Sequence, residues 1–247
     1  KKTAKSILFK LPTSWTDSFY KIYNIVFYPK MREKKESYGP LNKDKTFYVI
    51  RPRTDCVEGL MSLFDNVLRQ ISYAEAQEFI PVVDFENYST QYQDASLSEK
   101  NVWNYFFTQP SQYSLEEVYQ SKNVILSGLN SYYKCYGYLN KDFTDSTLKK
   151  ANEFMKKYID YSDRIKELYE KEKKIIVPEQ SIGLYLRGTD YIALKPAGES
   201  RQPTPEEAFD IVDRMLVKYS VDRVFLVTED ESFYNKAIER YGFHLRI

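Results

Sequence analysis

The residues of this chain best placed to do chemistry close a single apolar run, Ile182-Gly-Leu-Tyr-Leu-Arg-Gly-Thr-Asp-Tyr191. Ile182 to Leu186 reads as a strand, and Arg187, Gly188, Thr189 and Asp190 follow it. In an open α/β sheet, ligands sit beyond the carboxyl ends of the strands, where loop amides and helix N-termini point. A guanidinium there is a planar fork matched to phosphate oxygens. Gly188 removes the side chain that would hold a ligand away from the backbone. Asp190 can orient Arg187 or accept a hydrogen bond from a sugar or base. Spacing alone leaves a plainer alternative open, an ordinary strand ending in a surface Arg–Asp pair.

A second polar cluster ends the run Arg223-Val-Phe-Leu-Val-Thr228, which is followed by Glu229, Asp230 and Glu231. In a parallel sheet the two carboxyl ends share an edge. A cation with hydroxyls on one strand and carboxylates on the next suits a nucleotide diphosphate with an attached sugar. The arginine would stabilise charge developing on the leaving diphosphate. Glu229 and Asp230 can hold ribose or sugar hydroxyls, or a divalent cation. The sequence there is Thr-Glu-Asp-Glu rather than Asp-x-Asp. No Walker-type phosphate loop and no Gly-x-Gly-x-x-Gly occur, which excludes P-loop kinases and the usual NAD enzymes.

Composition narrows the field further. The single histidine, His244, makes a His-ligated metal centre or a Ser-His-Asp triad improbable. The net charge of +1 lacks the basic excess of a general nucleic-acid binder. Cys56 and Cys135 have neither metal spacing nor the numbers for a disulfide framework, which fits a reducing compartment. Asn87-Tyr-Ser89 is a glycosylation sequon that would matter only in a secreted protein. No run of about 18 apolar residues is present to span a membrane.

These residues need elements to position them. Residues 1–45 carry eleven Lys/Arg against four Asp/Glu, with Trp15, Phe19, Tyr20, Tyr23, Val26 and Phe27 at helical spacing. Such a helix either packs one face on its own domain or lies on an anionic membrane surface. Lys30 to Glu36 reads as a charged connector. A first domain, 46–178, opens with the strand Phe47–Ile50. Gly59 follows, then the stripe Leu60, Leu63, Phe64, Val67, Leu68, Ile71 and Ala74, then the strand Ile80–Phe85. That order is a βαβ crossover. Gly59 either makes the turn or lets backbone approach a ligand. Asp84 and Glu86, just beyond the strand, are candidates for an acceptor-side base or are turn-forming carboxylates. Residues 87–112 read as a loop-rich insertion. Its Trp103, Tyr105, Phe106 and Phe107 either stack on sugar rings or form a local cluster beneath the loop.

Ser114-Leu-Glu-Glu117 is a capping box before the strand candidate Val124–Leu126. Asp145 or Ser146 is placed to cap one long helix, or two, over 148–168. A second domain, 179–247, follows Pro178. Thr204, Pro205 and Glu207 start a helix, and Gly242 ends another. With two strands and a stub, this domain is expected to be incomplete.

Gly183-Leu-Tyr-Leu-Arg-Gly-Thr-Asp190 resembles the His-x-Arg-Arg-x-Asp motif of the GDP-fucose-dependent fucosyltransferases, the α1,6- and protein O-fucosyltransferase group in its bacterial form. Gly59-Leu-Met-Ser-Leu-Phe-Asp-Asn66, Ile80-Pro-Val-Val-Asp84 with Trp103-Asn-Tyr-Phe106, and Phe225-Leu-Val-Thr-Glu-Asp230 extend the resemblance over roughly 45–242. It implies an α/β, GT-B-like architecture, two Rossmann-like domains with parallel sheets facing across a cleft. It also implies metal-independent inverting transfer from GDP-fucose to a glycan acceptor, with no cofactor. Arg187 would bind the diphosphate with Asp190 in support, and Tyr185, Gly188, Thr189, Thr228, Glu229 and Asp230 would line the donor. Gly59, Asp84, Glu86 and Trp103 would lie on the acceptor side. The chain departs from the motif at Tyr185, in place of a guanine-contacting His, and at Gly188, in place of the second Arg. A further Asp/Ser donor motif is expected beyond Ile247. A non-catalytic nucleotide- or carbohydrate-binding protein of the same fold, a transferase for another nucleotide sugar, and an unrelated α/β protein remain the alternatives. A cytoplasmic location is expected, with membrane-surface contact through residues 1–45 as a further alternative.

Overall fold

The computed structural model describes residues 32–52, 58–128, 144–187 and 203–246. The basic aromatic stripe of residues 15–27 lies outside them, as do Cys56, Cys135, Gly188, Thr189 and Asp190. The chain divides into two compact units, Lys1–Ile165 and Lys166–Ile247. That division comes earlier than the boundary at 178 expected from Pro178. No described helix is long and apolar enough to cross a membrane.

In the first unit Lys34–Glu36 (β1) is a strand, not the charged connector expected from its composition. It pairs antiparallel with Val124–Leu126 (β4), and its exposed charges blunt an outer edge that could otherwise template aggregation. Phe47–Ile50 (β2) runs between β4 and Ile80–Val83 (β3), parallel to both, giving the order β1-β4-β2-β3. Leu60–Ala76 (α1) makes the crossover, so the βαβ unit forms as its periodicity requires. Alternation in β2 sorts the core. Tyr48 and Ile50 pack with Leu63, Val67, Ile71 and Ala74 of α1 on one face. Phe47 and Val49 pack with Val118 of the short helix Leu115–Val118 (α2) on the other.

The free edge of β3 is closed without another strand. Ile80 and Asp84 donate backbone N–H groups to Thr46 and Ile50, so by the alternation of the ladder the backbone groups of Pro81 and Val83 point to the free edge. Pro81 has no N–H to leave unpaired there. Val83 N–H donates to Gln109 Oε1 (2.9 Å), while its carbonyl accepts from Gln109 Nε2 (3.0 Å) and Asn101 Nδ2 (2.8 Å). Phe85 N–H donates to Asn101 Oδ1 at 3.2 Å. Two side-chain amides thus stand in for a neighbouring strand.

The expected long helical stretch is two helices, Asp145–Tyr158 (α3) and Asp163–Ile176 (α4). Thr144, not Asp145 or Ser146, caps α3 through a reciprocal box with Thr147. Asp145 instead occupies the first turn, where its charge complements the helix dipole.

In the second unit Ser181–Leu186 (β5), Arg223–Thr228 (β6) and Leu245–Arg246 (β7) form a parallel sheet in that order. Pro205–Tyr219 (α5) begins with the Thr204/Glu207 capping box, and Glu231–Tyr241 (α6) ends at Gly242. Ala208, Phe209 and Val212 of α5 and Phe233, Ala237 and Tyr241 of α6 share one core with Ile182, Leu186, Val224 and Leu226. Arg240 of α6 bridges to Asp210 and Asp213 of α5, and Lys236 to Glu206. On these strands Gly183, Tyr185 and Val227 are exposed, while Leu184 is partly buried against the core.

Candidate functional site

The carboxyl edge of the second unit's sheet is set by strand register. Leu186 of β5 pairs with Thr228 of β6, so Arg187 and Glu229 are the next residues on adjacent strands. Both are exposed. Tyr185 is 68% exposed and lies opposite Val227, itself 45% exposed. Thr228 Oγ1 accepts the Asp230 N–H at 3.1 Å. Asp230 Oδ1 accepts from Ser232 N (2.9 Å) and Phe233 N (3.2 Å), which makes it the N-cap of α6. Thr228 and Asp230 therefore shape the turn, while Tyr185, Arg187 and Glu229 present an aromatic ring, a cation and a carboxylate at one sheet edge.

The first unit's carboxyl edge is arranged differently. Arg51, directly after β2, is 3% exposed. Its Nε donates to the Ser127 carbonyl at 2.6 Å, its Nη2 donates to the same oxygen and, at 3.0 Å, to Arg32 O. The guanidinium also lies 5.0 Å from the centroid of the Tyr88 ring. Asp84, after β3, is wholly buried. Its Oδ1 accepts from the backbone of Glu86 (3.1 Å) and Asn87 (2.9 Å), and its Oδ2 from Asn87 Nδ2 (3.0 Å) and Tyr119 OH (2.6 Å). With four donors upon it, the carboxylate has no lone pair left for a substrate proton. Asp84 fits the turn-forming alternative rather than the base. Burial first, and then the Asp84 charge, push the Tyr119 phenol well above its ordinary range.

Trp103 is 3% exposed, packs against Phe64, Phe85 and Phe107, and donates Nε1–H to Thr108 O at 2.9 Å. It is part of the core and has no ring face for a sugar. Gly59 is the N-cap of α1 in ordinary extended backbone (φ −60°, ψ 154°), with nothing within 4 Å of an added Cβ. Glu86 is exposed and lines an open cleft of about 440 Å³ together with Asn104, Gln109, Ser111, Gln112 and Tyr113. Apart from Glu86, those cleft residues were not legible as a site. They fall within a polar stretch with no motif and come together only through the closure of the β3 edge. Among the described residues no three His, Cys, Asp or Glu gather as metal ligands.

No family model and no curated protein matches the chain. Among solved structures it is similar to the fucosyltransferase NodZ from Bradyrhizobium, with a TM-score of 0.43 and 12% identity over 82% of this chain and 78% of that one. A structure of NodZ alpha-1,6-fucosyltransferase soaked with GDP-fucose gives the same score and identity over 82% and 77%. At so low a score the likeness decides neither fold nor activity.

Proposed function

We propose that this protein is a nucleotide-sugar-dependent glycosyltransferase whose donor binds at the carboxyl edge of β5 and β6. The observation that carries the reading is the parallel register ending at Leu186 and Thr228, which puts Arg187 beside Glu229 at an exposed edge next to Tyr185. Arg187 holds the diphosphate and stabilises the charge that grows there as the bond to the sugar breaks. Tyr185 offers a ring on which a base can stack, and Glu229 accepts from ribose or sugar hydroxyls. Gly188, Thr189 and Asp190, which follow Arg187 in the sequence, belong to the same proposed donor site. Thr228 and Asp230 hold the turn in place. The resemblance of the 183–190 motif supports GDP-fucose as donor, a glycan acceptor, metal-independent inverting transfer and a GT-B arrangement. Gly188, in place of a second arginine, favours one competing reading, a binding protein of the same fold without turnover.

A thermal-shift panel of GDP, UDP, GDP-fucose, GDP-mannose and UDP-hexoses tests the donor. A ligand present at a hundred times its Kd adds about 2.7 kcal/mol of stability. GDP compounds are expected to shift the protein. A shift by UDP compounds alone overturns the fucose reading, and no shift by any nucleotide overturns the site. Release of GDP from GDP-fucose in the presence of EDTA separates an enzyme from a binding protein, and metal-independent from metal-dependent transfer.

A further inference from the structure

The cleft on the free edge of β3 has a lining that selects a chemical class. Its side chains include two exposed carboxylates, Glu86 and Glu116, the amides of Asn104 and Gln112, the hydroxyl of Ser111 and the ring of Tyr113. No lysine or arginine is among its lining residues. The Lys45 ammonium lies 5.1 Å from the centroid of the Tyr113 ring, and the two glutamates give the cleft its own charge. Its volume, about 440 Å³, lies in the range of roughly 300–1,000 Å³ usual for small-molecule sites. Its walls mix polar side chains with somewhat more apolar surface, to which Tyr113 and Leu115 contribute.

The floor of the cleft is fixed. Gln109 spends its amide on both polar groups of Val83 and on Asn104 Oδ1 (2.9 Å), and Asn101, 1% exposed, is bonded to Val83, Phe85 and Trp103. These side chains cannot turn to meet a ligand without opening the strand edge, so they give a rigid base. Above them, Ser111 Oγ is sheltered from solvent, and no hydrogen bond from a described residue reaches it. The Tyr113 ring packs in a T-shaped pair with buried Phe47 at 4.9 Å between centroids, and the same Lys45 ammonium lies over it.

From this lining we infer that the cleft is a subsite for a neutral saccharide. Sugar hydroxyls both donate and accept. They can donate to Glu86 and Glu116, exchange bonds with Gln112, and lay an apolar C–H face along the Tyr113 ring. The inference extends the glycan-acceptor part of the proposed function, but it draws on no residue of the donor edge.

Saturation-transfer NMR on the full chain, with the methyl glycosides of glucose, galactose and mannose as probes and no nucleotide present, tests it. At least one hexoside is expected to receive saturation on its ring protons. Glu86→Ala and Gln112→Ala, both at exposed positions that folding does not depend on, are each expected to weaken that hexoside about tenfold. No saturation transfer to any hexoside overturns the proposal. Affinity unchanged within twofold in both variants also overturns it, because binding is then elsewhere. Saturation of spermidine without saturation of any hexoside assigns the carboxylates to a cationic ligand and overturns it too. Because nucleotide is absent, none of these outcomes depends on whether the donor reading holds.

Discussion

Both units end parallel strands in an arginine and an acidic turn, yet the two edges use the same chemistry in opposite ways. In the first, Arg51 and Asp84 are buried, and the bonds they make hold the protein together. Arg51 fastens the ends of β2 and β4, and Asp84 fastens the turn after β3 to Tyr119 of the segment after α2. In the second, Arg187 and Glu229 are exposed, while the capping work falls to Thr228 and Asp230. An arginine after an apolar strand is therefore not itself a ligand site. What separates the cases is burial: Arg51 and Asp84 are closed off from solvent, whereas Arg187 and Glu229 face it.

The largest effect expected from this contrast is at Arg187. Removing one electrostatic contact to a transition state costs about 10²–10³ in turnover. Arg187→Ala should lose that much GDP release while its melting temperature stays near that of the wild type, because exposed substitutions change stability by less than about 0.5 kcal/mol. Arg187→Lys should recover only part of the rate, since a point charge does not reproduce a two-pronged contact. If Arg187→Ala releases GDP at close to the parent rate, the second unit's edge is as structural as the first.

Asp84 should show the reverse pattern. Its removal strips Tyr119 OH, Asn87 Nδ2 and two backbone N–H groups of their acceptor, and bonds to a charged group are worth about 1.5–3 kcal/mol each. Allowing for relaxation, Asp84→Ala should destabilise by about 3 kcal/mol, seen as a lower urea midpoint at unchanged slope. The same pair predicts alkaline behaviour. The Tyr119 phenol is raised by burial and then by Asp84, so the folded state holds that proton more tightly than the unfolded chain does. Its stabilising contribution is full below the unfolded value near 10 and is lost as the pH climbs toward the higher folded value. Tyr119→Phe should flatten the fall of stability above about pH 10. An unchanged alkaline limb would mean that Asp84 does not hold the phenol as described.

Legibility from sequence followed the range of the interactions. The α1 stripe, the Thr204/Glu207 box and the Gly242 stop are local, so spacing alone conveyed them. The role of Asp84 was ambiguous, because the Tyr119 donor that decides it comes from 35 residues away. Lys34–Glu36 has no apolar alternation, and only pairing with β4 makes it a strand. Trp103 carried a sugar-stacking alternative because composition says nothing about burial. For Arg187 the register of β5 on β6 supplies the neighbour, while Asp190, on which half of the motif turns, lies outside the described residues.

The smallest effect concerns whether the first unit's edge, sealed at Arg51 and Asp84, still meets a ligand at Gly59. Two glycines of that unit make the control. A Cβ on Gly39 would come within 2.5 Å of the Gln120 carbonyl oxygen, a backbone atom that cannot swing aside. Gly39→Ala should therefore cost about 1–3 kcal/mol, as overpacking does. Gly59 has no such neighbour, and its backbone is one that any residue adopts. It caps α1 without a side-chain bond, while Leu60 N–H is already taken by Tyr92 OH at 2.8 Å. A serine at position 59 would add an oxygen for the next free N–H of the first turn. Gly59→Ser should thus stabilise by a few tenths of a kcal/mol, the usual margin of Ser over Gly at an N-cap. Urea unfolding of both variants reads the contrast, and a loss of stability in Gly59→Ser would overturn the capping account. With folding removed as an explanation, acceptor KM becomes the informative quantity. A rise in KM at undiminished stability would mean that a ligand passes close against the backbone at Gly59, where a serine side chain obstructs it.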